Sequence, residues 1–367
     1  MSKKKTKIVI ASVLKPVDDV RNYEKIGCSL AKLKDCEITM LGVASKKNSQ
    51  NENIQFLPWR SFDRLSIGRL NVQLAFVKKL FILKPQLVIV TSHELLIMAV
   101  IGRLFVGYQL IYDVQEDYYK NLSHQHFYPW IIRKIMAVSI RCTEWLTRPF
   151  ISHYLLAEEM YLNDLAFTKN KRTVIDNKSL AITNQSTQQF KVIFTGTISD
   201  YSKCLESIEL YQKLKSSLPN PTLVVIGYCP SVNYLNQLKK KSRLDESIQL
   251  LILEKPVPHQ EIVEHIASAN LAIIGYECNP VNVFKIPTKQ YEYTAARLPY
   301  LVRSDTYWSE LGSTWGGAIP IEFTSPDVKI ILEFLASFDP NSVKTADALW
   351  IKNEDILLKC VDSFINK

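Results

Sequence analysis

The residues best placed to do chemistry lie in one stretch, VFKIPTKQYEYTAARLPYL, from Val283 to Leu301. Pro287 suits the start of a helix, because its ring fixes the backbone dihedral and it has no N–H to leave unpaired. Thr288, Lys289 and Glu292 would then occupy the opening of that helix, with Ala295 and Ala296 following and Arg297-Leu298-Pro299 leading into a new strand. A helix N-terminus at the edge of a parallel sheet binds phosphate through its unbonded N–H groups and the positive end of its dipole. Lys289 would add a mobile positive charge there, and the Glu292 carboxylate could accept hydrogen bonds from the two hydroxyls of a ribose. The same glutamate would serve as well as a cap or a solvated face residue, since carboxylates are common near helix ends.

Two further groups are candidates for work on a substrate hydroxyl. His93-Glu94 follows the apolar run Leu87–Thr91, and Asp18-Asp19 follows Lys7–Ser12. Both pairs fall in loops at the carboxyl ends of expected strands, where His93, Glu94 and Asp19 could be catalytic by orienting that hydroxyl. Ordinary loop solvation would also account for them, and Asp19 has the side chain of a helix N-cap. The six histidines lack metal spacing: His124 and His126 stand two apart in a polar loop, and neither H-E-x-x-H nor D-x-D occurs. No metal is expected.

The elements that must carry these residues alternate along the chain. Lys7–Ser12, Glu37–Val43, Leu87–Thr91 and Gln109–Asp113 are short β-branched runs separated by stretches of helical length. Residues apolar in succession suit strands covered on both faces, so the first half reads as a doubly wound parallel sheet. The polar stretch Ala181–Gln189 has no apolar periodicity and reads as a linker. A second series follows, with strands at Lys191–Thr195, Thr222–Ile226, Ile248–Leu253 and Leu271–Gly275 and helical patterns at Leu205–Leu214 and Gln260–Ala269. Residues 1–180 thus form a first Rossmann-like domain and 181–349 a second. A final helix within 350–367, from Trp350 to Ile365, would pack back across them. Two unrelated Rossmann-like domains would read the same way, but the nearly equal halves favour a pair facing across a ligand cleft. The first strand is followed by Val13-Leu14-Lys15-Pro16, which is no G-x-G-x-x-G turn and argues against a dinucleotide.

The pattern P-x-K-x-x-E-Y-x-A-A-x-x-P, present as Pro287, Lys289, Glu292, Tyr293, Ala295, Ala296 and Pro299, resembles the donor-binding segment of family-four retaining glycosyltransferases. Val192 to Thr197 resembles the family's first donor-domain strand and glycine turn, and Val257-Pro258 through Ala269-Asn270-Leu271 resembles its v-p-x-x-e-l…a-x-a-d-l segment. In the first half, Leu14-Lys15-Pro16 with Asp19 and Arg21 resembles a loop of some bacterial members, and Tyr112-Asp113-Val114-Gln115-Glu116 resembles Y-D-x-H-E. The likeness covers most of the chain. It implies the GT-B fold, a nucleotide diphosphate-sugar (UDP- or GDP-sugar) as donor substrate, retention at the anomeric carbon and no obligatory metal. It also implies that Glu292 holds the ribose, that Gly196 and Thr197 line the pyrophosphate, and that Lys203 and Lys289 neutralise it. Lys255 to Val257 would lie near the base, with Pro287 and Thr288 at the helix end that meets the phosphates. Three positions depart from the family: Phe284 stands where a second glutamate is usual, Thr197 where an arginine follows the glycine turn, and Gln115 where the histidine of Y-D-x-H-E stands. Lys203 is displaced by one residue, and Glu277 is the nearest substitute for the missing carboxylate. These departures leave less fixed positive charge for a leaving diphosphate. They open an alternative, a catalytically inactive GT-B module that binds a nucleotide or supports a partner transferase. A sugar-nucleotide epimerase is a third reading.

Composition bounds the rest. The chain has 367 residues, 47% of them hydrophobic, enough for two domains with their own cores. No stretch reaches the roughly 20 apolar residues of a spanning helix, and the lysine-rich start is not backed by an apolar run, so a cytoplasmic protein is expected. Seven scattered cysteines with no C-x-x-C pair fit reduced core thiols. Of the net charge of +9, the first 180 residues hold the basic share, with 27 Lys/Arg against 16 Asp/Glu, while the remainder has 18 against 20. Phe127–Trp145 and Trp59–Lys84 mix aromatic and aliphatic residues with Arg60, Arg64, Arg69, Lys78, Lys79, Arg133, Lys134 and Arg141. Such segments can lie peripherally on an anionic membrane surface, or can be ordinary amphipathic helices with a solvated basic face. No nucleic-acid motif accompanies the charge, so nucleic acid is not an expected partner. A lipid-linked or cell-surface glycan precursor is the expected acceptor, which would place the protein in polysaccharide biosynthesis at the inner face of the cell membrane.

Overall fold

The structure is a computed structural model, and it describes residues 5–45, 48–60, 62, 66, 68–124, 129–185, 189–253, 256–279 and 282–366. The chain divides into two compact units, Met1–Asn177 together with Asn353–Lys367, and Lys178–Lys352.

The first unit is a parallel sheet in the order β3-β2-β1-β4-β5-β6-β7. Its strands are β1 (Thr6–Pro16), β2 (Cys36–Val43), β3 (Ile54–Phe56), β4 (Leu87–Val90), β5 (Gln109–Val114), β6 (His153–Leu156) and β7 (Arg172–Val174). The connection from β1 opens with a wide π-helical segment, Val20–Gly27, that continues as the short α1 (Cys28–Leu30). The remaining helices are α2 (Gly68–Leu83), α3 (Leu96–Val106), α4 (Tyr118–His124), α5 (Trp130–Thr147) and α6 (Tyr161–Asp164). β4 is LVIV, buried along its whole length, as a central strand with helices on both faces must be. Its neighbours, together with Phe76 and Leu80 of α2 and Leu96 and Ala99 of α3, form one core. Trp59, expected in an amphipathic surface segment, belongs to that core and donates its indole N–H to the Ser12 carbonyl at 2.8 Å; the helix of that segment starts only at Gly68. Arg64 and His126, and the His124 side chain, lie outside the described residues.

The second unit repeats the scheme in the order β10-β9-β8-β11-β12-β13, again all parallel. Its strands are β8 (Lys191–Thr197), β9 (Thr222–Tyr228), β10 (Ile248–Leu253), β11 (Leu271–Ile274), β12 (Tyr300–Arg303) and β13 (Ala318–Ile321). They alternate with α7 (Cys204–Leu214), α8 (Val232–Ser242), α9 (His259–Ala267), α10 (Thr288–Ala295), α11 (Tyr307–Trp315) and α12 (Val328–Ser337). Separate apolar cores cover the two faces of this sheet. In the polar stretch read as a linker, Ile182 joins one of those cores and the Gln185 N–H bonds the Ala267 carbonyl, so this backbone is packed on the second unit.

The closing helix α13 (Ile351–Ile365) belongs to the first unit. Glu354 meets Lys32 and Ser29 there, Asn353 donates to the Asp176 carbonyl, and Leu357 and Val361 are buried. All seven cysteines are unbridged, but only Cys36, Cys204 and Cys229 are buried, so the expectation of core thiols fails for exposed Cys142 and Cys278.

Candidate active site

In an open parallel sheet the crevice forms outside the carboxyl ends of the strands at the point where strand order reverses. In the second unit this point lies between β8 and β11, and the residues singled out from the sequence converge there. Next to the end of β8 stands Gly196, whose φ of +103° is strained for any residue with a side chain. β9 passes close behind: a Cβ on Gly227 would stand 1.8 Å from the Gly196 carbonyl oxygen, so this paired approach requires glycine. Thr197, the last residue of β8, is exposed beside the turn.

α10 follows β11, with Pro287 as its N-cap and no side chain capping the first turn. Within that turn the Gln290 N–H bonds the Pro287 carbonyl at 2.8 Å, and exposed Thr288 is the first residue of the helix. Two residues of α10 grip β8. Lys289 donates its ammonium to the Thr195 carbonyl at 2.5 Å, and Tyr293 shares a 2.9 Å hydrogen bond with the Thr195 hydroxyl. Lys289 is only 6% exposed, and its Nζ lies 4.8 Å from the Phe194 ring centre and 4.7 Å from that of Tyr276. The mobile charge expected at this position is instead a fixed one, held by a carbonyl and two aromatic faces. A Cβ on Gly196 would come within 3.5 Å of this ammonium, so the glycine keeps a side chain from standing between the turn and Lys289.

Glu292, on the next turn, is buried and bonds His259 Nε2 at 2.8 Å. His259 is the first residue of α9, immediately after Val257-Pro258, and Val257 is buried beneath it. The sequence reading missed His259. Its only signal was its place right after a recognised segment, because its partner lies 33 residues away. A carboxylate has about four acceptor positions, so one bond to His259 leaves capacity for a diol. Lys255 lies outside the described residues.

Lys203 adopts a left-handed backbone just before α7, and its ammonium pairs with Glu206 at 3.3 Å and Glu277 at 3.5 Å. Burial alone would lower its pKa, but Glu206 and then Glu277 outweigh that and raise it above the usual lysine value. Arg303, at the end of β12, joins the same two carboxylates and donates to the Gly275 carbonyl. Two cations are thus matched by two carboxylates, whereas Lys289 has no carboxylate partner among the described residues. Phe284, in the place of the missing glutamate, is exposed and stands edge-on to Tyr307 at 5.8 Å.

The first unit's reversal lies between β1 and β4. Asp19 caps the π-helical segment, accepting from the N–H groups of Arg21 and Asn22, and meets Lys15 at 3.6 Å. Asp18 accepts from Ser45. Glu94 pairs with Arg69. His93 packs against Tyr118, with ring centres 4.6 Å apart, and its Nδ1 is buried with no hydrogen-bond partner among the described residues. Burial, helped by Arg69, pushes the imidazole down to about 4, so at neutral pH His93 is uncharged. The two first-half segments of the sequence reading meet here: Arg21 forms a bidentate pair with Asp113 at 2.7 and 3.0 Å. Gln115 donates to both Asp113 and Asn22 while accepting from Lys15. Asp19, Glu94 and Asp18 are therefore engaged with partners of the same unit, and His93 keeps a buried nitrogen with no partner among the described residues. Among the described residues no group of His, Cys, Asp or Glu is arranged to hold a metal ion.

No protein-family model matches the chain, and no curated protein does. Solved structures do. The chain is similar to sucrose-phosphate synthase from Thermosynechococcus elongatus at 11% identity and TM-score 0.64, covering 96% of this chain and 95% of that one. It is similar to HepE of Anabaena, solved in complex with UDP, at 12% identity and TM-score 0.66, covering 98% and 100%. A putative UDP-N-acetylglucosamine 2-epimerase from Listeria monocytogenes aligns at 13% identity and TM-score 0.65, covering 98% and 96%. These likenesses define the class of fold: two successive doubly wound parallel-sheet units of the GT-B type.

Proposed function

We propose that the chain is a glycosyltransferase that moves a sugar from a nucleotide diphosphate-sugar to an acceptor, with retention and without a metal. The observation that carries this reading is the convergence of three groups at one strand reversal: the bare Gly196 turn, the fixed Lys289 ammonium and the Glu292 carboxylate, beside the uncapped start of α10. When the bond to the sugar breaks, charge grows on the departing diphosphate. A fixed cation and oriented N–H groups stabilise that charge without reorganising. Glu292 would hold the ribose hydroxyls, Val257 and the residues before it would border the base, and UDP or GDP would fit this division of labour.

Under this reading His93 orients the acceptor hydroxyl through its unmet Nδ1, while Glu94 and Asp19 fix the loops on either side. The acceptor would be a lipid-linked or cell-surface glycan precursor, met at the inner face of the cell membrane. The pairing of Lys203 and Arg303 with Glu206 and Glu277 favours one rival, a module that binds nucleotide without catalysis, because of the cations Lys203, Lys289 and Arg303 it leaves only Lys289 uncompensated among the described residues. The test is a thermal-shift panel of UDP, GDP, ADP and their common sugars on the wild type and Glu292→Ala, followed by donor turnover. Ligand at a hundred times its dissociation constant stabilises by about 2.7 kcal/mol. A shift with one base, lost in the variant and accompanied by sugar release or transfer, supports the transferase. Binding with no turnover under any acceptor would point to the module, and turnover of donor to an isomeric donor would point to an epimerase.

A further inference from the structure

The first unit carries a surface that the donor site does not use. α2, α3 and α5 lie side by side, α3 packing against both of the others. Each turns an inner stripe to the unit's interior, Val72 and Phe76 on α2, Leu96 and Ala99 on α3, Ala137 and Ile140 on α5. Each also carries a second apolar stripe that faces out. Among the described residues, sixteen of the twenty-eight exposed large apolar side chains sit on these three helices. Phe105 is 73% exposed and Ile135 64%, and the exposed rings of Phe81 and Phe105 bridge α2 and α3 at 6.0 Å. A patch of this extent on one face is not ordinary surface scatter.

Charge identifies the occupant. The same helices carry seven lysines and arginines, three on α2, one on α3 and three on α5, against a single carboxylate, Glu144. Glu144 is buried and bonded to Arg141, which also pairs with Asp117, and Arg69 pairs with Glu94, whereas Lys78, Lys79 and Lys134 have no carboxylate partner among the described residues. Outward Leu, Ile, Phe and Trp interleaved with lysines that no described acid opposes is a composition that binds the headgroup boundary of an acidic membrane. At the C-terminal end of α5, Trp145 and Leu146 also line a cavity of about 530 Å³. Arg148, Lys169 and Lys171 contribute to its wall, no described carboxylate does, and the Tyr154 hydroxyl beside it is buried with no partner among the described residues. That recess offers positive charge and a spare hydroxyl next to an apolar wall, which suits an acidic headgroup with its acyl chain.

We propose that the outer face of α2, α3 and α5 docks on an anionic lipid bilayer, with the recess beside Trp145 receiving an acidic lipid headgroup. This deepens the proposed function by naming the surface that would bring the enzyme to a lipid-borne acceptor, and only that purpose rests on the transferase reading. The full chain is floated with vesicles of phosphatidylcholine alone and with vesicles containing about one third phosphatidylglycerol, at low and high salt. Each basic residue near an anionic surface is worth about 1 kcal/mol, so Lys78→Glu with Lys134→Glu should weaken binding by at least about tenfold. Phe105→Ser with Ile135→Ser should weaken it as well; all four positions are exposed, so the variants should keep the wild-type melting temperature. Binding confined to the acidic vesicles, lost in high salt and in both double variants, is the expected result. A wild type that stays unbound with both vesicle types overturns the proposal, as does binding unchanged in the variants. Dimerisation in sedimentation velocity that Phe105→Ser abolishes, without lipid binding, would make the face a contact between copies and also overturn it. The nucleotide-induced thermal shift, read on the same samples, reports the donor site independently, so failure of one reading is not mistaken for failure of the other.

Discussion

Lys289 shows how a side chain that the proposed function requires can still cost the fold. Its ammonium is nearly sealed from solvent, with a carbonyl and two aromatic rings for company and no described carboxylate. A buried cation without an acid partner is costly to hold, and replacing such a group with an apolar one of similar length is often neutral or stabilising. Lys289→Met keeps the packing between Phe194 and Tyr276 and removes only the charge. The expected outcome is a melting temperature unchanged or raised, with donor turnover lowered by roughly 10²–10³, the size of a lost oriented electrostatic contact. Equal losses of stability and turnover would instead mark the lysine as structural. Its neighbour Glu292 could be read from the sequence as a candidate because carboxylate, lysine and proline share one short motif. His259 could not, since nothing local ties it to a glutamate on another helix.

At the scale of elements, α5 joins the outer face to the first unit's interior through a group whose charge depends on pH. Glu144 lies between the Tyr112 hydroxyl and Arg141, and Arg141 also forms a bidentate bond to Asp117. Burial, opposed by Arg141 and reinforced by Asp117, pushes the Glu144 carboxyl from its ordinary 4.5 up to about 7. A carboxyl whose pKa is raised by folding contributes stability that is fully present below the unfolded value and is lost as pH rises through the folded one. The wild type should therefore lose on the order of 3 kcal/mol between about pH 4.5 and 7.5 relative to Glu144→Gln, which mimics the protonated acid. Urea unfolding of both proteins at the two ends of that window measures it. A constant difference between them would show that Glu144 stays ionised throughout. Long elements of this kind were legible: α5, α7, α9 and β10 follow their apolar periods closely. β3, β6 and β7 were not, because IQF, HYLL and RTV mix polar residues into three or four positions, whereas the equally short LVIV of β4 and LAII of β11 are apolar throughout. β13 contains Pro320, which argues against a strand unless that strand lies at a sheet edge, and β13 does.

For the molecule as a whole, the chain leaves the first unit at Asn177, builds the second, and returns at Asn353 to finish on the first. The return is anchored by apolar burial as well as by polar contacts: Leu357 and Val361 are fully buried, and Glu354 meets Lys32 and Ser29. Leu357→Ala should destabilise by about 2–5 kcal/mol, the usual cost of emptying a core leucine site. Because Leu357 belongs to the first unit and Glu292 to the second, urea unfolding should record that loss while the nucleotide-induced shift survives. A variant that loses nucleotide binding as well would show that α13 supports the donor site too.

The sequence by itself determined the class of architecture and marked the segment to which the proposed function assigns the donor. Both rest on local features: the alternation of apolar runs with helical periods, and residue types spaced within one or two helical turns. Only the tertiary structure decided which of those residues meet. It joined Arg21 to Asp113 across 92 positions and Glu292 to His259 across 33, and it set Lys203 and Arg303 against Glu206 and Glu277. It also turned the expected mobile charge of Lys289 into a fixed one. Such contacts depend on strand order and on which helix end faces which turn. They are properties of the assembled sheet, and no local period or spacing encodes them.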